Sequence, residues 1–138
     1  FKAAGLKFGI MTDTGSITQH MIAALTDCDG LLLECNYDHD MLISGVYPDS
    51  LKRRVSGDWG HLENQQSIAL LQALGTNDLQ HLVLAHISEK NNSHERVLDS
   101  VSAAIRCDRA RLKVIDQDDG LPWCSLTTDT ISKETLHA

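Results

Sequence analysis

At 138 residues the chain is long enough for one domain with a real core and too short for two of ordinary size. Hydrophobic content of 42% with 22% charged residues is ordinary for a soluble globular protein, and no apolar run reaches the length of a membrane span. A net charge of −7 argues against broad, sequence-blind binding to nucleic acid, yet leaves room for a nuclease whose bound metal ions supply local positive charge.

Strand and helix signals alternate along the chain. Leu6–Met11 reads as a strand, and Ser16–Leu25 as a helix with Ile17, Met21, Ile22 and Leu25 on one face and Ser16 as N-cap. Gly30–Cys35 is a short continuous apolar run, the pattern of a central strand buried on both faces. A loop or short helix is expected over Asp38–Ser44, then an irregular segment punctuated by Gly45, Pro48 and Gly57. His61–Leu74 has helical spacing, with Leu62, Ile68, Leu71 and Leu74 inward and Gly75 as its stop.

His81–His86 is the next buried strand. Ser93–Ile105 follows as a helix capped by Ser93, with Val97, Val101 and Ile105 on one stripe. Leu112–Ile115 and Leu121–Leu126 read as strands about an Asp118-Asp119-Gly120 turn. One domain is expected over residues 1–126, with Thr127–Ala138 a polar, flexible tail. The four cysteines, at 28, 35, 107 and 124, lack metal spacing, and Cys35 and Cys124 lie in apolar runs where a buried free thiol is expected. Free thiols and the lack of a signal-peptide pattern point to a reducing, cytoplasmic setting. A first residue of Phe fits a truncated or processed chain.

Two runs carry the functional signal: Gly9-Ile10-Met11-Thr12-Asp13-Thr14-Gly15 and His81-Leu82-Val83-Leu84-Ala85-His86-Ile87-Ser88. Each is an apolar strand that stops at a side chain able to bind metal. In open α/β sheets chemistry collects at the carboxyl ends of strands, where loops are free to carry polar groups. An aspartate and a histidine there offer an oxygen and a nitrogen to a divalent ion.

The Thr-Asp-Thr-Gly turn, the Leu-Leu-Leu-Glu-Cys-Asn strand, the Gly57-Asp58-Trp59-Gly60-His61-Leu62 segment and the Leu-Ala-His-Ile-Ser strand end occur in an order that is specific in combination. Over about Leu6–Leu126 they resemble the carboxyl-terminal half of a metallo-β-lactamase-fold hydrolase, in the YycJ-like or WalJ-like, exonuclease-like branch. The resemblance implies half of an αββα sandwich, a mixed β-sheet with covering helices and one face left bare. It implies a dinuclear centre of zinc, manganese or iron, with Asp13 as bridging ligand and His86 as final ligand. It further implies that His61, opening a helix whose N–H groups attract phosphate, assists at the leaving group.

The family's His-x-His-x-Asp-His cluster is absent from the seven histidines, at 20, 39, 61, 81, 86, 94 and 137. The expected partner is therefore the amino-terminal half of the same domain. Homo-oligomerisation stays open, and a DNA phosphodiester is the expected substrate.

Glu34 and Asn36, at a strand end, are candidates for supporting the metal ligands from behind or for positioning substrate, although related nucleases carry Glu-x-Thr-Tyr or a similar turn where this chain has Glu-Cys-Asn-Tyr. Lys52-Arg53-Arg54 is the one basic cluster, and Lys52 and Arg53 are candidates for gripping a phosphate backbone. Trp59 and Tyr47 could stack on a base or fill the core, while Asn64, Asn91 and Asn92 suit capping and turn roles better than substrate contact. Two other functions remain open: a metal-free binding module on the same fold, and a hydrolase of esters, thioesters or lactams.

Overall fold

Four parallel strands organise the computed structural model, which describes residues 1–106, 109–115, 118 and 120–128. The sheet order is β1 (Lys2–Ala3), β2 (Leu6–Met11), β3 (Gly30–Glu34), β4 (His81–Ala85) and β5 (Leu112–Val114), with only β1 antiparallel to its neighbour. Helices fill the crossovers: α1 (Gln19–Leu25), then α2 (His39–Ser44), α3 (Asp49–Val55) and α4 (Asn64–Leu74), then α5 (His94–Ile105). This is the mixed α/β sheet with covering helices that the alternating pattern predicts.

Alternation along the strands decides which face is the core. Met11, Leu31, Leu33, Leu82, Leu84 and Leu112 point to one side and pack with Leu25 of α1, Ile68 and Leu71 of α4, and Val97 and Val101 of α5. On the other side, Phe8 and Leu32 are half-buried and Ile10 is 51% exposed. The helix-covered face therefore carries most of the hydrophobic stabilisation, at about 25 cal/mol per Å² of apolar surface removed from water.

Several boundaries differ from expectation, each for a local reason. Helix α1 begins at Gln19 because Thr18 Oγ1 accepts the Met21 N–H at 3.2 Å, while Ser16 donates to the Asp58 carbonyl. The segment expected to be irregular contains α3, which Pro48 can start through its fixed φ and which Lys52, Arg53 and Arg54 favour from its last turn. Helix α4 starts at Asn64, three residues after His61, because Glu63 is the cap and its N–H donates to Gln66 Oε1 at 2.9 Å.

Leu121–Leu126 forms no strand. Pro122 has no N–H to give, and nearby backbone groups bond to side chains: His81 Nε2 donates to the Ser125 carbonyl, and the Thr127 N–H to Gln80 Oε1. Cys124 is exposed rather than buried, with Lys113 Nζ donating to its sulfur. Cys107, Asp119, His137 and the tail beyond Thr128 lie outside the described residues.

Two glycine loops meet where the site is built. A Cβ on Gly15 would lie 1.9 Å from the Gly57 carbonyl oxygen and 2.7 Å from Gly60 N, so only glycine lets the loop after β2 rest on the loop after α3. We expect Gly15→Ala to cost about 2 kcal/mol or more through overpacking, read as a lower urea midpoint at unchanged slope.

Buried acids also tie stability to pH. Burial pushes the Cys35 thiol from 9.0 to about 12, and burial followed by the Glu63 charge pushes the Tyr37 phenol from 10.0 to about 12. Above pH 9 the unfolded chain loses protons that the folded chain keeps, so this stability is full below about 9 and drains as pH rises toward 12. Urea midpoints should fall steadily over that range, and Cys35→Ala with Tyr37→Phe should flatten the decline.

Candidate metal centre

The carboxyl ends of β2, β3 and β4 converge, and each ends in a polar side chain. Beyond β3 the chain stays extended and is held on both flanks. The Cys35 N–H donates to Ala85 O and the Ser88 N–H to Asn36 O on one side; the Asn36 N–H donates to Leu62 O and the Asn64 N–H to Tyr37 O on the other. His86 and His61 are thereby set on either side of Glu34. Asn36 Nδ2 donates to the His86 carbonyl at 2.8 Å, pinning the end of β4.

Glu34 is fully buried. Its Oε1 accepts from His61 Nδ1 at 2.8 Å and from His86 Nδ1 at 2.6 Å, while Oε2 accepts the Thr14 N–H at 3.3 Å. A carboxylate only accepts, so both imidazoles carry their proton on Nδ1 and keep Nε2 for a ligand. A buried carboxylate without such donors would be strongly destabilising. The geometry thus makes Glu34 the residue that orients two histidines, the supporting role that the sequence left open beside substrate positioning.

Asp13 completes the cluster. Its Oδ1 lies 3.7 Å from His86 Nε2 and 3.9 Å from His61 Nδ1, and the two imidazole centroids are 5.1 Å apart. One donor atom from each of Asp13, His61 and His86 falls within a 4.8 Å set. Metal–nitrogen and metal–oxygen bonds of about 2.1 Å put two donors on one ion roughly 3 to 4 Å apart, so the Asp13–His86 pair fits a shared ion. The two side chains converge rather than point apart, which goes against a metal-free module.

Asp13 and His86 both have left-handed backbone, with φ of 57° and 58°. Such conformations cost on the order of 1 kcal/mol outside glycine and cluster at functional sites. The Asp13 loop is held by Gln66, whose Nε2 donates to the Gly15 carbonyl at 3.1 Å while its Oε1 caps α4.

The three donors open onto a cleft of about 540 Å³ that Asn36, Tyr47, Val55 and the Ile87–Asn91 loop also line. The structure does not bring Lys52 or Arg53 there: Lys52 Nζ donates to the Ile43 carbonyl at 2.6 Å, and Arg53 is exposed on α3. Trp59 is fully exposed outside the lining. Asn64 and Asn92 pair side chain to side chain in the core. Asn91 is buried, and among the described residues its Oδ1 has no hydrogen-bond partner. Sequence reasoning missed Gln66 and the Ser88–Lys90 lining; the one available signal was their position beside the His61 and His86 motifs.

A buried carboxylate holding two histidines beside an aspartate, at the carboxyl ends of parallel strands, is an arrangement that metal-dependent hydrolases can use. The sequence comparison is more specific. The chain is 34% identical over 99 residues to exodeoxyribonuclease YycJ of Bacillus anthracis, covering 72% of this chain and 38% of that protein. It is 38% identical over 89 residues to exodeoxyribonuclease WalJ of two Streptococcus pneumoniae strains, covering 64% of this chain and 33% of theirs. The chain is a homologue of the YycJ and WalJ exodeoxyribonucleases, the branch that its motifs resemble, and it spans roughly a third of their length. A solved structure of a new diphosphatase from the PhnP family aligns with 80% of this chain and 32% of its own, at a TM-score of 0.47 and 19% identity. No family model matches the chain.

Because Glu34 fixes the tautomer and orientation of both histidines, Glu34→Gln should weaken Mn²⁺ or Zn²⁺ binding by about 10- to 100-fold. Titration calorimetry reads this directly, and unchanged affinity would remove Glu34 from the design of the site.

Proposed function

We propose that this chain supplies part of the active site of a metal-dependent phosphodiesterase of metallo-β-lactamase fold that degrades DNA. The observation that carries the reading is the Asp13–His61–His86 cluster held by Glu34, in a chain homologous to exodeoxyribonucleases. In this reading the chain is half of an αββα sandwich: its helices cover one sheet face, and the Phe8, Ile10 and Leu32 face takes the amino-terminal half. That half brings the remaining ligands for two divalent ions, of zinc, manganese or iron. A reducing, cytoplasmic setting fits the free thiols of Cys28, Cys35 and Cys124.

Asp13 and His86 would hold metal, which when bound lowers the pKa of water and polarises a phosphoryl oxygen. His61 has Nδ1 committed to Glu34, leaving Nε2 to give a proton to the departing sugar oxygen. That step uses the doubly protonated ring, with Nδ1–H held by Glu34 and Nε2–H facing the leaving oxygen. Asn36 and the bridged strand ends keep the two rings from drifting.

Catalytic metal sites normally take at least three donors from protein, a two-ion centre needs more, and Asp13 and His86 are two. The 138-residue chain alone should therefore hydrolyse DNA negligibly, whereas the complete product of its gene should do so with added Mn²⁺ or Zn²⁺. In that product His86→Ala should lose bound metal and activity together. His61→Ala should keep the metal and lose about 10²- to 10⁴-fold in kcat. Metal-dependent turnover by the verified 138-residue chain, or a complete product inert on DNA with every metal tried, would overturn the reading.

A further inference from the structure

We infer that Tyr47 and Lys90 form the nucleotide-holding end of the cleft, with Lys90 on a backbone phosphate and Tyr47 stacked on an unpaired base of a single-stranded DNA end. The inference rests on the nuclease reading above and adds how the substrate is held. Tyr47 comes from the connection between α2 and α3, and Lys90 from the loop between β4 and α5, yet both line the cleft that holds Asp13 and His86. The chain has two Tyr, two Trp and two Phe, and Tyr47 is the one of these six in the lining of this cleft. Being half-buried, it has a fixed body and an accessible remainder.

Lys90 is the one Lys or Arg in that lining, and it is exposed with no carboxylate within ion-pair distance among the described residues. By contrast, the Lys52 ammonium is engaged by a carbonyl. Lys90 Nζ sits 5.8 Å from the Tyr47 ring centroid, near the outer limit of a cation–π contact. That contact keeps cation and ring together, and it is weak enough for the ammonium to turn to a phosphate. A single-stranded polynucleotide asks for this combination: a cation for the backbone and a π-face for the base. Glu89, exposed beside Lys90 in the same lining, repels phosphate and limits the grip to a single point.

The test uses the complete gene product, a single-stranded oligonucleotide, the same oligonucleotide abasic beside the cut, and methyl p-nitrophenyl phosphate, a diester with no base. Tyr47→Ala should raise KM for the oligonucleotide about tenfold with little change in kcat, and Tyr47→Phe should restore it. The abasic substrate should carry a similar penalty in the unsubstituted protein and none in Tyr47→Ala, because ring and base are one interaction. Lys90→Ala should reduce the salt slope of log KM by about 0.7, with Lys90→Arg close to the parent. If the parent cuts the oligonucleotide but KM is unmoved in both Ala variants, or the abasic penalty persists in Tyr47→Ala, the subsite is overturned and the nuclease reading stands. If the parent cuts neither oligonucleotide nor small diester, the nuclease reading falls and the subsite with it.

Discussion

Glu34 is a carboxylate at the end of the central strand with no exposure to solvent, and a charge in that position has to be answered from within the protein. Two imidazole N–H groups and a backbone N–H answer it. The demand is mutual: the carboxylate needs the donors to be buried, and the histidines need the carboxylate to face one way. Because His61, His86 and Thr14 come from three separate loops, satisfying Glu34 also fixes where those loops lie. Asp13, next to Thr14 in the chain, arrives near the imidazoles as a consequence.

The parallel sheet makes that convergence possible. Parallel strands share a direction, so their carboxyl ends lie along one edge, and side chains distant in sequence become neighbours there. Glu34 and His86 are 52 residues apart yet 2.6 Å apart in space. Glycine supplies the remaining tolerance. At Gly15 and Gly60 backbone packs on backbone, which brings the loop of Asp13 against the loop that leads into His61. The helices contribute from below, burying the leucines of β3 and β4 so that the strand ends form a rigid floor.

Charge in the cleft is arranged by exclusion as much as by placement. The most basic segment of the chain faces elsewhere, its lysine drawn to the exposed carbonyl at the end of α2. One lysine remains at the cleft, next to a carboxylate. With a net charge of −7, such a surface does not hold polyanions indiscriminately, and any grip on DNA must come from the site itself.

The sequence by itself determined strands β2 to β5, most of the helices between them and the side chains that stop β2 and β4; it missed β1 and α3, and the strand it suggested over Leu121–Leu126 does not form. The elements it determined follow from local pattern: unbroken apolar runs such as Leu31–Leu33 and Leu82–Ala85 belong to the interior of a sheet, and an Asp or His at the end of such a run must leave the core. Val97 and Val101 on α5, with Ser93 as cap, were legible for the same reason. Helix starts were less so, because capping is a competition among neighbouring side chains that tertiary contacts decide. Ser16 lost to Thr18 once it was engaged by the Asp58 carbonyl. Only the tertiary structure decided that Glu34 serves two histidines and that Lys52 and Arg53 lie off the cleft. It also decided that Tyr47 and Lys90, 43 positions apart, share one wall. Periodicity reports which face a residue takes, whereas the distance between residues on different loops is set by the packing of the whole sheet.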